Sequence, residues 1–214
     1  TGKTPMTIFT AEYLSDRHNV YILSRGYGGK SRGIQEVRIT SLVDEVGDEP
    51  LMMKNRLPKV HVFVSNDRVA GIRHINTLDP DRKIILLDDS LQHRSLAGGL
   101  QVLLTDINRI FCDDCLLPAG RLRDLKSRAS QVDIIVVSKL KSLTEDTTRA
   151  DKAILRYSQA HVCHTSLSSM GIKDYLTDEE AFLNPKVLVV SAIANPYTFY
   201  QMLQEKTIIE KKYE

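Results

Sequence analysis

Three groups of residues in this 214-residue chain have the types and spacing to handle phosphate. Gly2-Lys3-Thr4 is the closing part of the phosphate-loop pattern G-x-x-x-x-G-K-[ST]. In that pattern glycine lets backbone N–H groups turn onto phosphate oxygens and lysine reaches the β and γ oxygens. Threonine offers a hydroxyl to Mg2+, and the helix N-terminus favours the anion. Three residues recur by chance, so position carries the reading: the triplet opens a helix from Pro5 whose Met6, Phe9 and Tyr13 recur at helical spacing, a strongly amphipathic pattern. Asp88 and Asp89 directly follow Ile84-Ile85-Leu86-Leu87. Two carboxylates thus stand at the carboxyl end of a strand, where open α/β sheets bind ligands. A Walker B strand holds Mg2+ in this way. An isolated aspartate there usually caps a helix; the paired acids, in a chain that opens on Gly-Lys-Thr, favour metal.

Two further segments admit two readings each. Asp48 lies in Gly47-Asp48-Glu49-Pro50, ahead of a short helix over 51–57. Its charge either complements the positive helix end or serves as the base that receives the proton of a hydroxyl nucleophile in phosphoryl transfer. Leu117-Pro118-Ala119-Gly120-Arg121-Leu122-Arg123-Asp124 is a Pro/Gly turn with two arginines and an acid. A guanidinium fork suits phosphate oxygens, whereas exposed Arg–Asp pairs on loops are common and weak. Likewise Ser24-Arg25-Gly26-Tyr27-Gly28-Gly29 reads as a glycine-rich turn after a strand or as lining for a site at the sheet's carboxyl edge.

The cysteines point away from chemistry. Cys112-x-x-Cys115 has no further ligands at zinc spacing and precedes a Leu-Leu-Pro turn rather than opening a helix. His161, Cys163 and His164 fall in a strand-like stretch, where alternation turns His164 away from the other two.

These groups need a scaffold that brings strand ends together, and the apolar pattern supplies one. Strands are expected at Val20–Leu23, Val60–Val64, Ile84–Leu87, Val102–Leu104, Ile134–Val137 and Val187–Val190. The continuous aliphatic run Ile84–Leu87 reads as a central parallel strand buried on both faces, and the 102–104 and 134–137 runs repeat that signature. Helices are expected with Val69, Ile72 and Ile75 on one face, with Ala150, Ile154 and Tyr157 on another behind a Ser142–Glu145 capping box, and from Asn195-Pro196. Strands alternating with helices give an open parallel sheet with helices on both faces. The segment over 163–185 breaks the rhythm and reads as a connector, with a boundary near residue 180. Domains are therefore expected over 1–162 and 186–214.

Composition agrees with a globular α/β protein: 42% hydrophobic, 26% charged and no Trp. Lys+Arg 29 against Asp+Glu 27 leaves a net charge of +2, too balanced to suggest nucleic acid as a partner. No apolar run reaches the roughly 18–20 residues of a membrane span. A chain that starts at Thr1 without Met, directly on Gly-Lys-Thr, reads as part of a longer protein.

Taken in order, the motifs resemble the tetraacyldisaccharide 4'-kinases of lipid A synthesis in Gram-negative bacteria. The matching pieces are Thr1-Gly2-Lys3-Thr4-Pro5, Ser24-Arg25-Gly26-Tyr27, Gly47-Asp48-Glu49-Pro50, Asp88-Asp89-Ser90-Leu91-Gln92-His93 and Leu117 to Asp124. Ala192-Ile193-Ala194-Asn195-Pro196 is similar to the family's motif opening a second domain. The resemblance covers nearly the whole chain, and the ordered set is far more specific than any one piece.

The resemblance implies a P-loop NTPase-type sheet followed by the start of a second, smaller α/β domain, with the active site in the cleft between two domains. It implies transfer of the γ-phosphate of ATP, with Mg2+, to the 4'-hydroxyl of an acylated glucosamine disaccharide. This would take place peripherally at the cytoplasmic face of the inner membrane. Carried over residue by residue, Thr1 to Pro5 hold the nucleotide, Lys3 contacts phosphates and Thr4 contacts Mg2+. Asp88 and Asp89 are the metal acids, Asp48 is the catalytic carboxylate, and Arg123 and Asp124 lie near phosphates and metal. Ser24, Arg25, Tyr27, Glu49 and His93 line the site, His93 supporting the metal. Ser90 and Asp124 depart from the family's usual Gly and Glu, and the shorter Asp124 would reach Mg2+ only through water. The family also carries a membrane-associating helix and the first half of the phosphate loop before the position of Thr1, and an Asp-His-His stretch beyond that of Glu214. The rival reading is a P-loop ATPase or regulatory switch with no lipid substrate.

Overall fold

Short β-branched runs separated by turn residues fold as alternating strands and helices. In the computed structural model, which describes residues 2–30, 33–79, 82–93, 96, 98–169, 171–192 and 196–213, the chain divides into one unit over 1–166 and another over 167–214. The first unit runs α1 (Lys3–Ser15), β1 (Asn19–Ser24), β2 (Ile34–Val37), α2 (Val43–Val46), α3 (Asp48–Arg56), β3 (His61–Ser65), α4 (Arg68–Leu78) and β4 (Lys83–Leu87). It continues through β5 (Val102–Asp106), β6 (Ile134–Leu140), α5 (Thr148–Ile154) and β7 (His161–Ser166). Strand β7 thus includes Cys163 to Ser166, the first residues of the expected connector.

Two sheets carry the first unit. One has the order β2-β3-β1-β4, parallel except for the antiparallel β2; the other is β5-β6-β7, all parallel. Strand alternation gives β1 two buried faces. Val20 and Ile22 pack with Val62, Val64 and Met53 under α1 and α3. Tyr21 and Leu23 pack with Phe63 and Ile75 under α4. In the second sheet, Ile135 and Val137 of β6 pack against Ala150 and Ile154 of α5. The second unit holds a parallel pair, β8 (Lys186–Val190) and β9 (Ile208–Tyr213), joined through α6 (Tyr197–Gln204). Ile193, Ala194 and Asn195 of the motif ahead of α6 lie outside the described residues, as does Thr1.

Three expectations need correction. Helix α1 does not bury Met6, Phe9 and Tyr13: Phe9 is 65% and Tyr13 71% exposed. It buries Thr4 and Ala11, with Ile8 and Leu14 beside them, so the larger apolar side chains are on the wrong stripe. The small Ala11 lets the helix lie close to the sheet. Strand β4 is not central; among the described residues it pairs only with β1. Its faces are nonetheless covered, Leu86 by one core cluster and Ile85 and Leu87 by the other, and an aliphatic run reports faces rather than edges. The Ser142–Glu145 box forms a turn: the Ser142 and Thr144 hydroxyls pair at 2.9 Å and Glu145 accepts from Lys141 N–H. Helix α5 starts only at Thr148.

The carboxyl ends of β5 and β6 are knitted together. Register is lost between Val137 and Leu140, and Lys139 takes a left-handed φ of 64°. Lys139 Nζ meets Asp106 Oδ2 at 2.7 Å, with side-chain exposures of 30% and 17%. Burial alone would raise the Asp106 carboxyl, but the bonds and charge of Lys139 and the amides of Asn108 hold it below the usual range. A depressed folded pKa stabilises the fold above the unfolded value, and that contribution fades as pH falls through the folded value. Asp106→Asn is expected to cost about 1–3 kcal/mol near neutral pH. The gap to the parent in urea unfolding should shrink as pH falls through the acid range.

Candidate phosphate and metal site

The site grows out of the strand ends at β1 and β4. Asp88 N–H donates to Leu23 O at 3.3 Å, extending the β1–β4 ladder by one residue and fixing where the two acids leave the sheet. Arg68 braces the same point. It opens α4 behind an Asp67 cap that accepts from Ala70 N–H at 3.0 Å. Its side chain is only 3% exposed and donates to Leu23 O and Asp88 O. The motifs do not single out Arg68, yet a signal was there. It stands four and seven residues before Ile72 and Ile75, on the apolar stripe of α4, where a cation needs partners.

Asp89 turns back toward α1 with φ 50°. Lys3 Nζ donates to its Oδ1 at 2.6 Å, and Arg123 donates from Nη2 to both carboxylate oxygens at 3.2 Å. Burial would raise the Asp89 carboxyl, but the hydrogen bonds and charges of Lys3 and Arg123 hold it below the ordinary range. Asp88 behaves oppositely. It is 6% exposed, and burial pushes its carboxyl up. The Glu49 and Asp89 charges act in the same direction, and Lys3 and Arg68 hold it back only in part. A buried carboxylate so placed gains from a cation.

Helix α1 presents hydroxyls to these acids at i and i+3. Thr4 donates to Glu49 Oε1 at 3.2 Å, and Thr7 lies 3.5 Å from Asp88 Oδ1. Glu49 arrives there because two loops cross backbone to backbone. Gly26 (φ 66°) has Val46 O and Val64 3.0 Å from where a Cβ would stand, and Gly47 (φ 90°) has Tyr27 O at 2.7 Å. Any side chain would force the loops apart and carry the start of α3 away from α1. The Ser24–Gly29 turn is therefore a spacer as well as a rim. Ser24 is buried, while Arg25 and Tyr27 are exposed, Tyr27 at 91%.

The structure thus gathers Lys3, Thr4, Glu49, Asp88, Asp89 and Arg123. Gly2, in a left-handed turn (φ 80°), leads into α1, and Pro5 is exposed in its first turn. Asp48 is exposed in the first turn of α3, beside Glu49, whose N–H it accepts at 2.9 Å. His93 is held below its usual pKa by burial and by the Arg25 and Arg68 charges, against Asp89. Asp124 Oδ2 lies 3.4 Å from Arg128 Nε. Ser90, where the family usually has Gly, donates to Leu87 O at 3.3 Å. Among the described residues no three His, Cys, Asp or Glu side chains converge as a metal cage. Mg2+ does not need one, since it binds one or two carboxylates together with phosphate oxygens. The hard oxygens of Thr4, Asp88 and Asp89 fit that pattern. Cys112 is buried, its thiol pushed up to about 11 by burial and by Asp113, which leaves it inert.

The profile of the tetraacyldisaccharide-1-P 4'-kinase family matches residues 1–213. A tetraacyldisaccharide 4'-kinase of Phocaeicola vulgatus is 33% identical over 222 residues, covering 95% of this chain and 58% of that protein. Its counterpart in Cytophaga hutchinsonii is 34% identical over 217 residues, covering 100% and 62%. The crystal structure of LpxK from Aquifex aeolicus in complex with ATP superimposes with a TM-score of 0.74 at 25% identity, over 99% of this chain and 65% of that one. The chain spans about three fifths of the length of these curated relatives.

The brace at Arg68 is directly testable. Arg68→Met keeps bulk on the α4 stripe but leaves the Leu23 and Asp88 carbonyls without their charged donor. A loss of about 2–4 kcal/mol in urea unfolding is expected, from two charge-assisted bonds. A loss under about 0.5 kcal/mol, the range of ordinary surface changes, would show that the strand ends hold without it.

Proposed function

Because the chain belongs to the tetraacyldisaccharide-1-P 4'-kinase family, we propose that it carries the nucleotide site of an ATP- and Mg2+-dependent lipid kinase. The acceptor is the 4'-hydroxyl of a tetraacylated glucosamine disaccharide, a precursor of lipid A. The observation that carries this reading is the pair of cations, Lys3 and Arg123, converging on Asp89 beside the start of α1. Two cations, a helix N-terminus and two acids at strand ends are what a triphosphate with its metal requires.

In this reading Lys3 and the first backbone N–H groups of α1 orient the β and γ phosphates. Thr4, Asp88 and Asp89 would hold Mg2+, which when bound would neutralise phosphate charge. Arg123 moves its donors from Asp89 to the oxygens of the transferring group. Asp48 receives the proton of the 4'-hydroxyl as that oxygen bonds to the γ phosphorus and the bond to ADP breaks. The short link from Asp48 through Glu49 to Thr4 supports its place at the acceptor side. Asp124, which lies 3.4 Å from Arg128 Nε, reaches the metal only through water. His93, kept neutral, supports the acids without adding charge.

The acyl chains of such a substrate stay in the bilayer, so the enzyme works at a membrane surface, the cytoplasmic face of the inner membrane of a Gram-negative bacterium. Among the described residues no helix is long and apolar enough to cross a membrane, which suits peripheral attachment.

Transfer of labelled phosphate from ATP to the disaccharide lipid by the full-length protein tests the proposal. Asp48→Asn should leave ATP affinity within about twofold and cut transfer by roughly 10²–10⁴, the usual weight of a general base. Undiminished transfer by that variant would remove Asp48 from its role. ATP turnover indifferent to the lipid would favour a nucleotide switch instead.

A further inference from the structure

A second arginine, Arg128, spans the same two segments that Arg123 and Asp89 join. It stands on the short helical turn Lys126–Gln131, four residues after Asp124. Its Nη2 donates to Leu91 O at 3.1 Å. Its Nε lies 3.4 Å from Asp124 Oδ2, an ion pair rather than a hydrogen bond. Nη1 donates to Gln131 Oε1 at 2.5 Å, which holds the guanidinium against its own turn. Leu91 follows Asp89 by two residues, and Asp124 follows Arg123 directly. One planar fork therefore bridges the segment of the two acids and the segment of Arg123.

The two bridges differ in what can break them. The Arg123–Asp89 pair is open, its side chains 53% and 37% exposed, and it joins charges for which a triphosphate competes. The Arg128–Asp124 pair is shielded, each side chain 21% exposed, and the other partner of Arg128 is a neutral carbonyl. Water screens the first bridge more than the second. The partners of Arg128 are themselves fixed. Leu91 packs against the core cluster of the second sheet, and Asp124 Oδ1 accepts from Leu125 N–H at 2.9 Å. On the other side of Arg123, Leu122 donates to Cys115 O and accepts from Leu117 N–H. Arg123 is thus pinned at both neighbouring residues, while its side chain is left to change partners.

We propose that Arg128 is a positioning residue for phosphoryl transfer: it keeps Arg123 within reach of the acids after Arg123 has left Asp89 for the transferring group. The inference rests on the kinase reading above and deepens it. Phosphate that draws Arg123 away from Asp89 loosens the join between the two segments when their spacing matters most. A misplacement of about 1 Å there costs on the order of 10²-fold in rate. Arg128 touches no reacting atom; it acts through the backbone at Leu91 and the carboxylate at Asp124.

A double-mutant cycle in the full-length protein separates positioning from support of the fold. Turnover at saturating Mg-ATP and disaccharide lipid is measured for the parent, Arg123→Met, Arg128→Met and the double variant. Arg128→Met should lower turnover about 10- to 100-fold in the parent background, and less than about twofold once Arg123 is replaced. A side chain that only supports the fold would cost the same factor in both backgrounds. That result, or no loss in either, would overturn the proposal. If Arg128→Met does not fold, the same cycle is run with Arg128→Lys, which keeps the charge beside Asp124 but not the fork, and the same outcomes decide. Calorimetry of Mg-ATP binding to the four proteins tells this inference apart from the reading beneath it. A parent that binds Mg-ATP but passes no phosphate to the lipid would overturn the kinase reading alone. Arg123→Met should then still weaken ATP in the parent background and not in the Arg128→Met one. Equal weakening in both, or none, would overturn the positioning role. A parent that does not bind Mg-ATP would overturn the nucleotide reading, and this inference with it.

Discussion

Asp89 is held by two cations from distant parts of the chain, Lys3 86 residues before it and Arg123 34 residues after. One carboxylate thereby fixes the start of α1, the end of β4 and the loop beyond β5 in a single place. The same carboxylate occupies the cations that a triphosphate would need. Lys3 and Asp89 are each 37% exposed, so their pair is worth at most about 1 kcal/mol. That is weak enough to yield to an anion carrying several charges, and strong enough to keep two like charges together in its absence. In the proposed function the arrangement is a placeholder that phosphate and metal displace.

A placeholder of this kind is only useful if its neighbours do not move. Arg68 supplies that rigidity from below, spending a buried cation on two backbone carbonyls at the ends of β1 and β4. The crossing at Gly26 and Gly47 supplies it from the side, since the absence of two Cβ atoms lets α3 begin within reach of Thr4. Asp88, denied water, is left with a raised pKa. The scaffold therefore holds side by side one carboxylate held down by two cations and one pushed up by burial, an asymmetry that in the proposed function favours a divalent cation.

Much of this was legible in the sequence, and its limits have physical causes. Gly2-Lys3-Thr4 and Asp88-Asp89 announce their chemistry because helix starts and strand ends are local features. Strand positions were legible because β-branched runs such as Ile134–Val137 are local too. Where outcomes depend on long-range packing, local pattern failed. The large apolar residues of α1 suggested the Phe9–Tyr13 stripe, but the sheet accepted the small Ala11 instead. The aliphatic run of β4 reported two covered faces but could not report that, among the described residues, only β1 pairs with it. Ser142–Glu145 has the composition of a helix cap, yet it closes a turn. Arg68 escaped notice because a cation on an apolar stripe reads as noise until its carbonyl partners are known.

The central claim is that Asp89 competes with phosphate for Lys3 and Arg123 and cooperates with it only through a metal. ATP affinity of Asp89→Asn and of the parent protein, both measured by calorimetry with all divalent cations chelated, tests that most directly. Removing the carboxylate's charge frees both cations, so metal-free ATP is expected to bind the variant more tightly than the parent. Equal or weaker metal-free binding by the variant would contradict the account.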